Sequence, residues 1–274
     1  MSEPTLHSSI WHETPEPDNP FATQVARCHG YDVYGQMLGH ARWVDMVYLL
    51  LTGQAPAPLQ ARVLETLAVA LANPGPRDPM VHAAMCAGIG GTPAAAGLMA
   101  ALAVGAGQSG GARDVYLAMH AWQRARALPA DAPLSQWLET MLAVHAPAWL
   151  GPRDAGWPTA EHPAGLDPHS PVTATIVRQS LALLSEAGPC TQRLHEHIDT
   201  LCAQAGMGLT LVAVAAAVMT DLGLSPAQGE MLHLLLRLPG AAAHALEQAS
   251  QGFKRFPYPP VNLLDDPLHQ GTTS

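Results

Sequence analysis

The sequence predicts an all-α protein, and three features support this fold class. Ala and Leu are abundant, and hydrophobic residues make up 48% of the 274 residues while charged residues make up only 13%, about half the usual charged fraction. Apolar residues recur at the three- and four-residue spacing of amphipathic helices. No segment of useful length alternates apolar and polar residues as a half-buried strand does. We therefore expect a helical fold that buries much surface, including a subunit interface.

The individual helices are predicted from these apolar stripes and from the Gly and Pro residues that end them. In one such stripe, Leu59, Val63 and Leu67 share a helix face, and Pro74 follows as a breaker. Helices are predicted at about 33–51, 57–72, 79–91, 94–106, 112–127, 134–145, 172–187, 190–205, 209–222, 226–237 and 239–250.

Both ends of the chain lack this periodicity. Residues 1–20 are polar and Pro-rich, which predicts a flexible N-terminal arm, and residues 259–274 are predicted to form a C-terminal tail. Residues 21–258 form the predicted folded domain. Within it, the Pro-, Gly- and His-rich stretch at 147–171 predicts a long loop, and such loops in compact domains are often functional.

Charge and composition argue against several functions. The net charge is −9 and no basic run occurs, which argues against nucleic-acid binding. The longest apolar runs, at 209–219 and 93–107, are shorter than the ~20 residues that span a bilayer. Four cysteines without a CxxC pair and a polar N-terminus without a signal peptide predict a cytoplasmic protein. No set of residues has metal-ligand spacing, and no phosphate-binding glycine motif occurs.

The most specific pattern is the stretch at 27–56, RCHGYDVYGQMLGHARWVDMVYLLLTGQAP. Its HGYD and YLLLTG segments resemble, in order and spacing, the opening of the large domain in the citrate synthase superfamily, which includes citryl-CoA lyases. The resemblance implies an all-α fold with a large helical domain and a small helical subdomain at roughly 110–190. It also implies a dimer whose site lies between the two subdomains.

The segment EHPAGLDPH at 161–169 resembles the family motif GHPxYxxGDPR. This resemblance implies that His162 is catalytic, binding a ketone oxygen and supplying a proton. His169 stands where the family has a carboxylate-binding Arg, and it can hold an anion only when it is protonated. The alternative is that both are ordinary loop histidines.

Two arginines lie in later segments that resemble family motifs. Arg237 begins RLPGAAAHALEQ, and Arg255 lies in the closing FKRFPYP segment. The resemblance implies that both bind substrate carboxylates, with Arg255 reaching the site of the neighbouring subunit. A planar guanidinium suits this role because it meets a carboxylate with two parallel hydrogen bonds. The alternative for Arg237 is an ion pair with Glu247 or Glu230.

Three positions at which the family carries reacting side chains hold other residues here. Pro74 replaces a substrate-binding His and has no donor. Ser109, in QSGGA, replaces the His that hydrogen-bonds the thioester carbonyl; its hydroxyl can donate but is not a useful acid. Val212, counted back from Asp221 of the DLG segment, replaces the catalytic Asp and cannot accept a proton. The resemblance therefore implies a divergent active site.

Two functional hypotheses follow. In the first, the chain is an enzyme that makes or cleaves the carbon–carbon bond of a citryl-CoA-like compound, with a CoA thioester and a carboxylic acid as substrates and no bound cofactor. In the second, it is a catalytically inactive member of the family that binds ligand or partners an active paralogue. The first hypothesis suits a homodimer, and the second suits a heterodimer.

Overall fold

The computed structural model describes residues 7–129, 131–143, 162–256 and 258. The C-terminal tail at 259–274 and most of the predicted loop at 147–171 lie outside these residues. Within them the chain is predominantly helical, which confirms the predicted all-α class. The α-helices are α1 (Trp43–Thr52), α2 (Pro58–Leu71), α3 (Pro79–Ile89), α4 (Ala94–Gly105), α5 (Ala112–Arg126), α6 (Leu134–Leu142), α7 (Thr175–Leu184), α8 (Pro189–Ala205), α9 (Leu211–Asp221) and α10 (Pro226–Gln251).

A β-hairpin precedes the helices, and the sequence analysis did not predict it. Strand β1 (Trp11–Glu16) pairs antiparallel with β2 (Asn19–Cys28), and the short β3 (Tyr31–Asp32) pairs with the end of β2. Residues 11–16, assigned to a flexible arm, are thus hydrogen-bonded along a neighbouring strand. Most side chains of β1 and β2 are exposed on both faces, so no alternation of apolar and polar residues marks the strands.

A second, two-stranded sheet lies deeper in the molecule. Strand β4 (Leu166–Asp167) pairs antiparallel with β5 (Gly208–Leu209). Leu166 and Leu209 are both buried, so this small sheet fastens the segment that follows His162 to the start of α9. Each strand is only two residues long, which is too short to produce a recognisable sequence period.

The helical region predicted at 33–51 is interrupted. Residues Val33–Met37 form a single π-helical turn, capped by Asp32, whose carboxylate accepts from the Gly35 backbone N–H at 2.9 Å. The chain then leaves the helix before α1 begins. There the Asp45 carboxylate accepts from the Arg42 backbone N–H at 2.8 Å, which satisfies a donor at the helix start.

The last helix is longer than predicted, because the helices expected at 226–237 and 239–250 are one continuous α10. Pro239 lies inside it without ending it. The next residue, Gly240, donates its backbone N–H to the Ala72 carbonyl at 2.8 Å, so the end of α2 docks onto α10 at this point. A Cβ at position 240 would lie 2.5 Å from the same oxygen, which explains the glycine.

Two apolar clusters form the core. The larger surrounds α9, where Val214–Met219 are fully buried, and it takes side chains from α1, α2, α5–α8 and α10. The smaller joins α3 and α4 to the second half of α10 through residues such as Met80, Val81 and Ala241. Helices from 110–190 share the larger cluster with α1 and α2, and the small subdomain at these residues remains a prediction.

Two landmarks of the sequence resemblance have structural roles. The Tyr48 hydroxyl donates to the Leu222 carbonyl at 2.8 Å and thereby ties α1 to the end of α9. The Asp221 carboxylate accepts two backbone N–H groups of the first turn of α8, at 3.0 and 2.8 Å. A carboxylate at this place satisfies orphan donors and complements the helix dipole. Both contacts join one part of the scaffold to another.

All four cysteines are free. Burial raises the pKa of the Cys190 thiol far above its usual range, so this thiol stays protonated.

No helix in the described part of the chain has both the length and the apolar character that crossing a bilayer requires. Among the same residues, no three His, Cys, Asp or Glu side chains lie close enough to share a metal ion.

Candidate functional site

The segment 106–111, between α4 and α5, forms a glycine-rich loop. Gly110 has φ +69°, a left-handed conformation that favours glycine. Gly111 is packed so closely that a Cβ would overlap the Gly107 carbonyl. Ser109 is exposed at the tip of this loop, so its hydroxyl is accessible to a ligand.

Arg237 lies on α10 behind this loop and is only 4% exposed. Its guanidinium donates to the Asp78 carboxylate, to the Gly110 carbonyl at 3.4 Å and to His233 Nε2 at 3.3 Å. Asp78 also caps α3, since its Oδ1 accepts from the Met80 backbone N–H at 2.9 Å. Arg237 therefore connects α3, α10 and the glycine loop.

The two ion-pair partners that the sequence suggested for Arg237 are both wrong. Glu230 instead pairs with Arg113 at 3.2 Å. Glu247 lies 3.3 Å from His244 of its own helix. The actual partner comes from the start of α3, because α3 packs against α10. Spacing along one helix cannot reveal a partner that tertiary packing supplies.

His233 is buried beside this arginine, one helical turn away. Burial, reinforced by the charge of Arg237, lowers the pKa of His233 to about 3, so the imidazole is neutral. Because a guanidinium N–H can only donate, Nε2 must accept and the proton resides on Nδ1. Nδ1 has no hydrogen-bond partner in the described part of the chain. The neutral ring avoids placing a second positive charge beside Arg237.

Asp114, in the first turn of α5, is a functional candidate that the sequence analysis missed. It is 3% exposed, and its Oδ1 accepts the Gly165 backbone N–H at 3.0 Å. Burial raises the pKa of Asp114 to about 6, although hydrogen bonds from Gly165 and Gly110 and the charge of His162 oppose the rise. An acidic residue three positions after the Gly-Gly pair was the available signal, but it is typical of any helix start.

His162 lies within electrostatic reach of Asp114. Its Nδ1 is 3.2 Å from the Pro163 carbonyl oxygen. A carbonyl can only accept a hydrogen bond, so Nδ1 carries the proton of the neutral ring, and Nε2 is left as the acceptor. This sequence-predicted histidine thus lies three residues before Gly165, whose backbone N–H binds the buried Asp114 carboxylate.

Val212 lies close to the same turn, in the first turn of α9. Gly165 has φ +81°, and a Cβ there would lie 2.7 Å from the Ala213 Cβ. The Thr210 hydroxyl donates to the Gly165 carbonyl at 2.8 Å. Val212 itself is 4% exposed and belongs to the larger apolar cluster. The position therefore serves packing, and the nearby carboxylate is that of Asp114.

No protein-family model matches the sequence, and no curated protein matches it. Solved structures nevertheless share its architecture. The citryl-CoA lyase from Hydrogenobacter thermophilus aligns over 94% of this chain and 97% of its own, with a TM-score of 0.68 and 17% identity. The chain has a citrate synthase-like fold.

Two further structures with the superfamily fold extend the comparison. The ATP citrate lyase from Methanothrix soehngenii, in complex with citrate and coenzyme A, has a TM-score of 0.67 at 16% identity and covers the whole chain. A citrate synthase from Thermoplasma acidophilum, in a ternary complex, has a TM-score of 0.56 at 14% identity over 82% of the chain. The chain spans only 44% of the ATP citrate lyase and 57% of the citrate synthase.

Two of the residues that the superfamily resemblance assigns to substrate binding are exposed. His169 follows β4, and its backbone N–H donates to Asp167 Oδ1 at 2.9 Å. Arg255 lies in a 3-10 turn after α10 and makes no ion pair with the described residues. No hydrogen bond within the described ranges brings either side chain to Arg237 or His162, so their roles remain predictions.

An imidazole from another element lies near Pro74, where the superfamily has a histidine. His244 Nε2 is 3.1 Å from the side-chain oxygen of Asn73, the residue before this proline. Its Nδ1 is 3.3 Å from the Glu247 carboxylate. Gly240, one turn earlier on α10, contacts the same loop. A histidine from α10 therefore contacts the loop that contains Pro74.

Proposed function

We propose that the chain makes or cleaves a carbon–carbon bond between a CoA thioester and a carboxylic acid, as in citryl-CoA chemistry. The observation that carries this proposal is a convergence on Gly110. Arg237 donates to the Gly110 carbonyl, while Asp114, beside His162, accepts from the Gly110 backbone. Arg237 from α10 and Asp114 from the start of α5 thus contact the same glycine, and His162 lies within electrostatic reach of that carboxylate.

These groups suit an anionic substrate that contains carbonyl groups. Nε2 of His162 can take a proton and return it. The exposed hydroxyl of Ser109 and the backbone N–H groups of a glycine loop can donate to a carbonyl oxygen in which negative charge develops. Arg237 contributes positive charge, although Asp78 already accepts one of its hydrogen bonds. A substrate carboxylate would therefore share this arginine with Asp78.

A second candidate function is that of a non-catalytic subunit. Two observations favour it: Val212 is packed in an apolar helix, and the charge of Arg237 is offset by Asp78. Such a chain would bind a CoA or carboxylate ligand, or complete the site of an active paralogue in a heterodimer.

The assembly that we propose is a cytoplasmic dimer, a homodimer for the enzyme and a heterodimer for the non-catalytic subunit. Arg255 supports this arrangement because it is exposed just beyond α10 and forms no ion pair with the described residues. It is thus available to a carboxylate bound in the partner's site. The CoA thioester is treated as a substrate and not as a resident cofactor.

The test is an assay of the purified chain, alone and mixed with a catalytically intact paralogue. It measures the release of free CoA from acetyl-CoA plus oxaloacetate and the cleavage of citryl-CoA. Turnover by the chain alone that is abolished in His162→Gln supports the enzyme. Stimulation of the paralogue without turnover by the chain alone supports the non-catalytic subunit. The absence of both, with no calorimetric binding of CoA or citrate, contradicts both candidates.

A further inference from the structure

The turn at Gly165 joins Asp114 to the start of α9. Gly165 donates its N–H to Asp114 Oδ1 at 3.0 Å, and its carbonyl accepts from the backbone N–H of Thr210 at 3.0 Å and from the Thr210 hydroxyl at 2.8 Å. Thr210 is the N-cap residue of α9, two positions before Val212. The Asp114 carboxylate therefore lies across this single turn from the start of α9, where position 212 has no carboxylate.

The surroundings of Asp114 are unusual for a buried carboxylate. In the described ranges, His162 is the titratable side chain whose charge acts on it. Helix α9 presents only apolar residues from 211 to 219. From α10, Arg237 reaches the Gly110 carbonyl and not the carboxylate. Burying a carboxylate without a strong cationic partner lowers stability, and such groups are concentrated at functional sites.

His162 has the tautomer that a proton acceptor needs. The Pro163 carbonyl holds the proton on Nδ1, so Nε2 presents its lone pair. An imidazole works well as a base near neutral pH because its ordinary pKa lies close to that range. A nearby carboxylate favours the imidazolium that forms when the base takes up a proton.

We propose that His162, paired with Asp114, is the proton acceptor that replaces the carboxylate absent at 212. In the synthetic direction the C–H bond next to the thioester carbonyl breaks, its electron pair moves into the carbonyl to form an enolate, and the proton moves to Nε2 of His162. Asp114 offsets the charge of the imidazolium and is thus a positioning residue. In the cleavage direction the same proton returns to the carbon.

This inference rests on the proposed function only for its substrate class, a CoA thioester with a hydrogen on the carbon next to the carbonyl. It does not require that a carbon–carbon bond be formed. Proton removal can therefore be measured separately, as the incorporation of deuterium into the methyl group of acetyl-CoA in D₂O, followed by mass spectrometry.

The wild-type chain is expected to catalyse this exchange, and its rate is expected to rise as the pH passes through about 6, where Asp114 ionises. His162→Gln should lose at least about 100-fold in rate, since it removes the base. Asp114→Asn should lose about 10-fold or more, and the inflection of its pH profile should move because the imidazole no longer faces a carboxylate. Asp114→Glu should recover part of the rate.

The matched control is Asp221→Asn. Asp221 also accepts two backbone N–H groups, but it lies at the opposite end of α9, about 14 Å along the helix from Val212. This variant should keep the wild-type exchange rate and pH profile. Thermal unfolding of every variant shows whether the protein remains folded under the assay conditions.

The outcomes separate this inference from the proposed function. Exchange by the wild type, lost in Asp114→Asn but not in Asp221→Asn, supports the pair even if no carbon–carbon bond is made or cleaved. Absence of exchange in the wild type overturns it. An Asp114→Asn variant that keeps the wild-type exchange rate and pH profile also overturns the inference, even when the chain makes or cleaves a carbon–carbon bond as the proposed function requires. Equal losses in both Asn variants indicate a structural role and also overturn it.

Discussion

Arg237 and Asp78 form an ion pair that joins the middle of α10 to the N-terminus of α3. Their side chains are only 5% and 16% exposed. The same carboxylate caps α3 through the Met80 backbone N–H. The smaller apolar cluster joins the same two helices. The ion pair and the apolar packing therefore both hold α3 against α10.

Removal of one partner from this pair should be strongly destabilising. Asp78→Ala leaves the Arg237 charge buried without a counter-charge and removes the cap of α3. We expect the free energy of unfolding to fall by about 3–5 kcal/mol, measured by urea denaturation. The matched control is Asp199→Ala, which removes the carboxylate of an exposed ion pair with Arg178. Exposed pairs contribute little, so equal losses in the two variants would contradict this interpretation.

The raised pKa of Asp114, about 6 against an ordinary value of 3.8, predicts a pH-dependent stability. The folded state holds this proton more tightly than the unfolded state. The stability that the bound proton of Asp114 contributes to the fold is therefore fully present below about pH 4 and is lost as the pH rises through 6. Between pH 4 and pH 8, Asp114→Asn should gain up to about 3 kcal/mol in unfolding free energy relative to the wild type. Parallel urea titrations at both pH values check this, and a constant difference would refute it.

Gly165 and Gly110 provide a matched pair of substitutions. Both have positive φ, but a Cβ at Gly165 would lie 2.7 Å from the Ala213 Cβ, whereas a Cβ at Gly110 would have nothing within 4 Å. Alanine at either position should lose about 1–2 kcal/mol to the left-handed conformation. Gly165→Ala should lose about a further 1–3 kcal/mol through overpacking. Chemical denaturation of both variants measures the difference, and its absence would mean that the turn does not pack on α9 in this way.

Introducing a carboxylate at position 212 should destabilise the fold. Val212 is 4% exposed, and its neighbours on α9 are apolar, so an ionised Asp there would be buried without a cation. Val212→Asp should reduce the unfolding free energy at pH 8 by about 3 kcal/mol or more. The loss should be smaller at pH 5, because a buried carboxyl is more readily protonated. Val212→Ala controls for the lost volume, and a loss in Val212→Asp no greater than in Val212→Ala would show that the position is open to water.

Helix positions could be predicted because their signals are local. Apolar stripes and breaking residues located eight of the ten α-helices in the described ranges, α2–α9, to within a few residues. The hairpin was missed because its side chains are exposed on both faces. The split of α10 was wrong because the helix-breaking signal of Pro239 is local, whereas the contact that accommodates it, from Gly240 to Ala72, joins residues far apart in the chain.

The candidate site could be proposed from the sequence only in part. His162 and Arg237 could be named because they lie in segments that resemble family motifs. Asp114 could not be named from the sequence. An acidic residue in the first turn of a helix is common, because its charge interacts favourably with the helix dipole. Its burial and its neighbour His162 arise only when the Gly165 turn folds against α5 and α9.

The sequence by itself determined where most helices lie, which superfamily the chain resembles, and that positions 74, 109 and 212 lack the expected reacting side chains. Those facts depend on residue identity and local periodicity. Only the tertiary structure decided that Asp78 offsets the charge of Arg237, that His244 lies near Pro74 and that the Gly165 turn brings Asp114 within electrostatic reach of His162. The physical reason is that charge pairing and burial depend on distances in space between elements, and the order of residues along the chain does not contain those distances.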